Sequence, residues 1–353
     1  MRYFRFSLSV SLLCLVLASS WGYVQHGLTG AVTSLAMTLI LGAMEVSLSF
    51  DNAIVNASVL KTWNAYWRRL FLTVGILIAV FGMWLIFPLL IVAITSGVGM
   101  VAALQMALHD PRAFSQILSG HHDQIAAFGG IFLLLVALNF LFDEDKKLHW
   151  LGHAEQKLTA LGRVSALPML VALLSVAVLV SLVDEGRQLP VLQAGLWGTI
   201  VYVGVDAISD FLEKEEETDP ALGKVILHGG LGGFLYLEIL DASFSFDGVI
   251  GAFAITHDVV IILLGLGIGA LFVRSLTVYL VERGTLQNYV YLEHGAHYAI
   301  GMLALILFIS IRIEVPELLT GLTGIGFILA SLWSSIRHRN NKKGEPHQGS
   351  PSG

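Results

Sequence analysis

Ten apolar stretches divide this chain, and they constrain its fold more than any other feature. A helix needs about 20 predominantly apolar residues to cross the hydrocarbon core of a bilayer. Charged residues make up 13% of the chain, about half the share in a typical soluble protein. We therefore predict an all-α integral membrane protein with about ten transmembrane helices. The stretches run over residues 6–22, 29–58, 70–94, 124–142, 166–183, 191–212, 225–256, 259–281, 296–312 and 318–336.

The basic residues follow this division. When the N-terminus is placed in the cytoplasm, sixteen of the 20 Lys and Arg residues fall in cytoplasmic segments. Of the remaining four, Arg112, Arg187 and Arg312 fall in outer loops, and Arg274 falls within an apolar stretch. Cytoplasmic loops of membrane proteins carry such an excess of positive charge. The pattern predicts a multi-pass protein of the cell (inner) membrane with both termini in the cytoplasm.

One polar motif occurs twice inside the apolar stretches. Residues 45–52 read EVSLSFDN and residues 241–248 read DASFSFDG. Carboxylates are costly in hydrocarbon and usually mark a functional site. The copies lie in the second and seventh stretches, so they cross the membrane in opposite directions. This arrangement predicts an inverted-topology repeat, with a binding site between its halves near the midplane.

The repeat also predicts how the chain is organised. We expect two inverted units of three helices each, at 28–142 and 224–312. The N-terminal segment resembles a secretory signal peptide in part, but we expect it to stay as a membrane helix. The remaining regions are an N-terminal helix at 1–27, a cytoplasmic loop with linking helices at 143–223, a last transmembrane helix at 313–339 and a disordered tail at 340–353.

The side chains of the two motifs offer oxygen atoms as ligands, and so does Glu238, which lies one helical turn before the second motif. Carboxylates, amides and hydroxyls suit hard cations such as Mn²⁺, Ca²⁺ and Mg²⁺, whereas zinc and copper prefer imidazole and thiolate. We predict that the copies meet to form one metal site. In the alternative, the acids pair with Arg274 or with serine hydroxyls and only hold helices together. The candidate metal ligands are Glu45, Ser49, Asp51, Asn52, Glu238, Asp241, Ser245 and Asp247.

Both motif segments are longer than a bilayer requires. A straight helix of about 30 residues is about 45 Å long, whereas the hydrocarbon core is about 30 Å thick. Glu45 and Asp51 would lie about 120° apart on a regular helix, and unwinding would let both face one ion. We therefore predict that both motif helices are broken. The glycines that could allow a break are Gly42, Gly232, Gly233 and Gly248.

Two further polar segments lie on the predicted cytoplasmic side. Glu293, His294 and His297 open the ninth stretch. They fit a metal entry site, a pH-sensitive gate or ordinary capping of the helix. Glu155 lies close in sequence to His153 in a cytoplasmic loop. We expect Glu155 to lie on a solvated helix face.

The motifs resemble the two signatures of the TerC family, within the wider LysE superfamily of exporters. The first signature is similar to the set Glu45, Leu48, Asp51 and Asn52. The second is similar to the set Glu238, Asp241, Phe244, Ser245 and Asp247. The resemblance covers about 28–312 and implies export of a divalent metal, most often Mn²⁺, with the acids and Asn52 as ligands. The chain departs from the family at Gly248, where a serine is usual, and in its extra terminal helices.

We predict a membrane transporter that exports a divalent cation by alternating access at midplane carboxylates. The cation is the substrate, and no tightly bound cofactor or nucleic-acid partner is expected. Protonation of the carboxylates on the outer side would couple export to proton entry. The sequence contains no GxxxxGK[ST] motif of an ATPase, and we do not expect an enzyme. Two alternatives are an intramembrane metal-dependent enzyme and a membrane stress-complex subunit without transport. The oligomeric state is not predicted.

Overall fold

The computed structural model describes residues 2–61, 63–75, 78–144, 146, 148–217, 230–283, 289–313 and 315–344, without some of the side chains in these ranges. All regular elements in these ranges are helices, which confirms the predicted all-α class. The α-helices are α1 (Arg5–Leu48), α2 (Phe50–Leu60), α3 (Ala65–Leu70), α4 (Phe87–Thr95), α5 (Met100–His109), α6 (Pro111–Gly120), α7 (His122–Leu141), α8 (His153–Leu161), α9 (Leu167–Leu182), α10 (Glu185–Glu217), α11 (Leu231–Ile255), α12 (Val259–Glu282), α13 (Leu292–Ser310) and α14 (Glu317–Gly344).

The described helices match the ten predicted stretches in position. Six helices of the described chain are long and apolar enough to cross a membrane by length and composition. The first of these, α1, contains the first predicted stretch and most of the second. The third stretch, 70–94, covers two π-helical segments (Phe71–Gly75 and Ala79–Ile86) and most of α4. The fifth stretch forms the 16-residue α9, and the seventh forms α11, which carries the second motif.

Helix α1 consists of two helical segments that are joined by a sharp turn. His26 and Gly27 have non-helical backbone angles, and Gly27 has a φ of 66°, which favours glycine. A side chain on Gly22 would collide with the backbone of Gly30. Residues eight apart on a straight helix would lie about 12 Å apart, so the chain folds back on itself here. The turn separates the first predicted transmembrane helix from the second.

The two motif segments pack side by side in opposite directions, as the charge pattern predicts. The Asn56 amide donates a hydrogen bond to Asp241. On one side of this contact Trp63 approaches Gly233, and on the other side Glu45 approaches Gly248. Increasing residue numbers in one segment therefore pair with decreasing numbers in the other.

The prediction of two broken motif helices is correct for the first copy and wrong for the second. Helix α1 ends at Leu48 and α2 begins at Phe50, with Ser49 between them. Helix α11 is uninterrupted across its 25 residues. A helix of that length is about 37 Å long, so tilt alone fits it to a bilayer. The break also lies at Ser49 rather than at a glycine.

Loops that are predicted to lie on the same side of the membrane contact each other. At one end Lys61 lies 3.3 Å from Glu293, and His294 contacts the carbonyl of Leu148 at 2.9 Å. At the other end, Arg187 pairs with Asp123. All four members of the first set are predicted to be cytoplasmic, and both members of the second are predicted to be outside. The fold therefore groups the loops as the charge pattern does.

Helix α7 holds the neighbouring helices at close range through small residues. A side chain on Gly130 would lie 2.5 Å from the ring of Phe308 in α13. A side chain on Gly198 in α10 would lie 2.5 Å from the carbonyl oxygen of Phe128. Because lipid is as apolar as a protein core, helices in membranes associate through close packing of this kind. The motif segments are thus supported by a tightly packed helical scaffold.

Candidate metal centre

The Glu45 carboxylate lies at the crossing of the two motif segments. Glu45 is 2% exposed, and its Oε1 atom accepts a hydrogen bond from the hydroxyl of Ser49 at 2.6 Å. Ser49 occupies the break between α1 and α2. The Oε2 atom of Glu45 is buried and has no hydrogen-bond partner among the described residues. A side chain on Gly248 would lie 2.8 Å from this atom, so Oε2 points at the second motif.

The Asp241 carboxylate faces the first motif in the corresponding way. It accepts a hydrogen bond from Nδ2 of Asn56 at 2.7 Å and another from the side chain of Asn52. Asp241 and Gly248 occupy in the second copy the positions of Glu45 and Asn52 in the first. Glu45 of the first copy therefore approaches Gly248 of the second copy. In the same way, Asp241 of the second copy contacts Asn52 of the first. An inverted repeat predicts a reciprocal contact of this kind.

Glu238 adds a third carboxylate, one helical turn before Asp241. Neither of its oxygen atoms has a hydrogen-bond partner in the described structure, and its Oε1 atom lies against Gly75. Arg274 does not pair with Glu238 or Glu45: its described contacts are a hydrogen bond to the Leu72 carbonyl and the ring of Phe6. For Glu45 and Glu238, these contacts argue against the alternative in which the acids pair with Arg274.

The cluster presents acceptor oxygens that no hydrogen-bond donor satisfies. Within the described part of the chain, three such atoms are buried at this crossing and two more belong to Glu238, one helical turn away. A buried acceptor without a donor costs about 1–3 kcal/mol, and carboxylate and amide oxygens are the ligands that hard divalent cations prefer. The chemistry of the site therefore fits a cation. The atoms are Oε2 of Glu45, Oδ1 of Asn52, Oδ1 of Asn56 and both carboxylate oxygens of Glu238.

The structure places Asp51 apart from this cluster. Asp51 is buried, but its carboxylate lies against Gly324 of α14. The side chains of Ser245 and Asp247 lie outside the described part of the chain. Among the described residues, no group of three or more His, Cys, Asp and Glu side chains lies close enough to hold a metal. Among the described side chains, two carboxylates, Glu45 and Asp241, together with the asparagine and serine oxygens, are therefore available to a cation at the crossing.

Asn56 belongs to the cluster, and the sequence motif does not include it. It lies four residues after Asn52, so both amides project from the same face of α2. A second amide at this spacing in an otherwise apolar run is the signal that identifies it. Asn56 is 4% exposed, and its described hydrogen bond joins the two motif segments.

A second polar cluster lies at the predicted cytoplasmic end, and here the expectation for Glu155 is wrong. Its side chain is fully buried rather than solvated, and Oε1 lies 2.7 Å from Nζ of Lys146. His294 lies 3.5 Å from the same oxygen, and the ring of His297 stacks on Phe140 at 3.9 Å. The loop thus folds over the start of α13 and contacts His294, whereas His297 packs against Phe140 in α7.

The pKa of Glu155 is lower than the ordinary value for glutamate. Burial disfavours the charged form and raises the pKa, but the Lys146 ammonium and the Leu151 N–H, which donates to Oε2 at 3.0 Å, more than offset burial. The carboxylate is therefore ionised when the loop is docked. The ion pair lies within the loop, and the same two residues join the loop to the membrane helices: Lys146 donates to the Phe140 carbonyl in α7, and Glu155 lies beside His294 in α13.

A family model described as a protein of unknown function (DUF475) matches residues 50–343. The matched region contains the last three residues of the first motif, Phe50, Asp51 and Asn52, and all of the second motif. No curated protein and no solved structure matches the chain.

Proposed function

Because the chain belongs to the DUF475 family, whose function is unknown, we propose a function from its own geometry: it carries a divalent metal cation across the membrane. The protein is membrane-embedded and helical, and its polar groups at the motif crossing supply oxygen ligands. The metal is the substrate in this proposal. We propose no resident cofactor and no enzymatic activity.

The unsatisfied oxygens at the crossing carry this proposal. Glu45 and Asp241 bring negative charge from opposite chain directions, and Asn52 and Asn56 bring neutral oxygens between them. Burial of uncompensated charge in hydrocarbon is costly. A bound cation removes that cost, and its departure restores it. The site is therefore suited to an ion that binds and leaves.

We propose Mn²⁺ as the preferred ion and export as the direction, on the resemblance to the TerC family. Oxygen ligands also fit Ca²⁺ and Mg²⁺. Gly248 contributes no hydroxyl where that family usually has one, and its backbone instead lies against Oε2 of Glu45. This difference lowers the number of ligands and favours an ion that accepts mixed carboxylate and amide ligands.

The inverted arrangement supports alternating access as the mechanism. In transporters built from inverted repeats, the substrate site lies between the halves, which rock around it. Here the ligands come from both motif segments, so relative movement of the segments would change their spacing and release the ion. We propose that protonation of the carboxylates from the outer side assists this release. In the proposed orientation, both termini are cytoplasmic and the protein lies in the cell membrane.

Transport by the purified protein in proteoliposomes tests this proposal. We expect Mn²⁺ flux in the wild type, tested beside Ca²⁺ and Mg²⁺ with and without a pH gradient. Glu45→Gln and Asp241→Asn should each reduce Mn²⁺ flux by at least about tenfold, since even outer-shell partners of a metal contribute that much to its binding. Glu144→Gln, which makes the same chemical change at an exposed position, is the control. Absence of flux for every metal contradicts the proposal.

A further inference from the structure

The Asp51 carboxylate lies in a small cavity between the first motif and the last membrane helix. Leu48, Ala299, Leu303, Ile306 and Gly324 line this cavity together with two hydroxyl residues, Thr320 and Thr323. A side chain on Gly324 would lie 3.4 Å from Oδ2 of Asp51. The carboxylate therefore points toward α14 and away from the second motif.

The Asp51 side chain is buried, and no cationic side chain pairs with it among the described residues. Asp51 is 4% exposed, and its Oδ1 atom accepts a hydrogen bond from the backbone N–H of Asn52 at 3.0 Å. No side chain in the described structure donates a hydrogen bond to this carboxylate, and no described Lys, Arg or His forms an ion pair with it. An ionised carboxylate among apolar side chains needs a counter-charge.

The cavity has oxygen ligands for such a counter-charge and little room. The Thr323 hydroxyl donates its proton to the carbonyl of Leu319 at 2.7 Å, so its lone pairs remain available to a cation. Thr320 is the residue after Leu319, and it lines the same cavity. The space available to the centre of a water-sized particle is about 10 Å³, which is the volume of a single small occupant.

We propose that this cavity is a second cation site, separate from the metal centre, and that it binds one Na⁺ ion. The ligands are the Asp51 carboxylate and the hydroxyls of Thr320 and Thr323. One carboxylate neutralises one positive charge, so a divalent ion would leave an excess charge in an apolar cavity. The small volume favours Na⁺ over the larger K⁺. This assignment concerns binding and is independent of which metal the protein transports.

The melting temperature of the purified full-length protein tests the site. The probe is NaCl, compared with choline chloride at equal ionic strength. Since a ligand that binds only the folded state stabilises it, Na⁺ should raise the melting temperature of the wild type saturably, and KCl should do so only at higher concentration. Asp51→Asn should abolish the Na⁺ response. Thr323→Val should shift its midpoint to about tenfold higher Na⁺, as expected for loss of one ligand to a charged group.

Thr199→Val is the matched control. Like Thr323, Thr199 donates its hydroxyl to the carbonyl four residues earlier, that of Gly195, but it lies in α10 away from the cavity. If Asp51→Asn does not fold, the comparison between Thr323→Val and Thr199→Val decides the question. Equal melting temperatures in NaCl and choline chloride would overturn the proposal, and so would equal Na⁺ responses in the two threonine variants. Asp51 would then be neutralised by a proton.

Glu45→Gln separates this site from the proposed transport function. We expect this variant to lose Mn²⁺ binding while keeping the wild-type Na⁺ response. If no variant binds Mn²⁺ but the Na⁺ response follows Asp51 and Thr323, the transport proposal fails and the Na⁺ site stands. If Mn²⁺ binds and Na⁺ has no effect, the Na⁺ site fails alone.

Discussion

Gly248→Ala would displace the Glu45 carboxylate without removing it, so this substitution tests whether the position of that carboxylate matters. The added methyl group would lie 2.8 Å from Oε2 of Glu45, whereas ordinary contacts begin at 3.4 Å. The carboxylate must therefore move by about 0.6 Å, the difference between these two distances. The nearest atom belongs to the end of a flexible side chain, so the helices themselves need not move.

Two effects of opposite sign follow from Gly248→Ala. Alanine is a better helix former than glycine by about 0.8–1 kcal/mol, so the protein should be as stable as the wild type or slightly more stable. Misplacement of a functional group by 1 Å can cost about 100-fold in rate, so a shift of about half that size should reduce Mn²⁺ flux by about tenfold. Loss of function without loss of stability is the expected result.

Gly267→Ala supplies the control for this measurement. Gly267 lies in α12, and a side chain there would have no neighbour within 4 Å. Both variants should be compared in one proteoliposome flux assay and in one thermal unfolding assay. If Gly248→Ala transports Mn²⁺ as fast as Gly267→Ala does, the Glu45 carboxylate does not bind the transported ion. If Gly248→Ala instead unfolds at a much lower temperature, the described contact between the motif segments is wrong.

Three further predictions concern the motif crossing and its scaffold. Asn56→Ala removes one of two amide donors to Asp241 and should lower the free energy of unfolding by about 1–3 kcal/mol. Ser58→Ala, which removes a hydrogen bond to the Val55 carbonyl within the same helix, should have a smaller effect in the same denaturation assay. Glu155→Gln should destabilise the docked loop by about 3 kcal/mol, measured by hydrogen exchange. The pKa of Glu155 is lowered in the folded state, so Glu155 stabilises the docked loop above the ordinary glutamate pKa of about 4.3. This stabilisation is lost as the pH falls through the pKa of the folded state. Protection of the loop from hydrogen exchange that is unchanged down to pH 3 would contradict this prediction. Gly198→Ala should lower the free energy of unfolding by about 1–3 kcal/mol, because the added methyl group pushes α10 away from the Phe128 backbone. Gly204→Ala in the same helix is the control, since a side chain there meets no neighbour within 4 Å. Equal melting temperatures of the two variants would refute the close packing.

Much of the fold is predictable because hydropathy and charge are properties of single segments. The apolar stretches and the distribution of Lys and Arg predict the helices and the grouping of their loops. The opposite directions of the two motifs follow from the same count. The Asn56–Asp241 hydrogen bond and the approach of Glu45 to Gly248 agree with that prediction. The boundaries of the two three-helix units stay a prediction.

The site is less predictable because it depends on side-chain directions across helices. The sequence groups Glu45 with Asp51, since both belong to one motif, but the break at Ser49 leaves Asp51 facing α14. The inclusion of Asn56 depends on where α2 meets α11. Glu155 is buried because the loop folds onto His294 of α13, and composition near Glu155 does not reveal that contact. Each of these outcomes is decided by tertiary packing.

Locating bound Mn²⁺ by anomalous scattering tests the central claim most directly. The proposal predicts one strong Mn²⁺ peak at the crossing of α1 and α11, with oxygen ligands from Glu45 and Asp241, that disappears in Glu45→Gln. A peak beside Glu293 and His294 at the other polar cluster, with none at the crossing, would contradict the proposal. The same conclusion would follow if saturating Mn²⁺ produced no peak between the two motif segments.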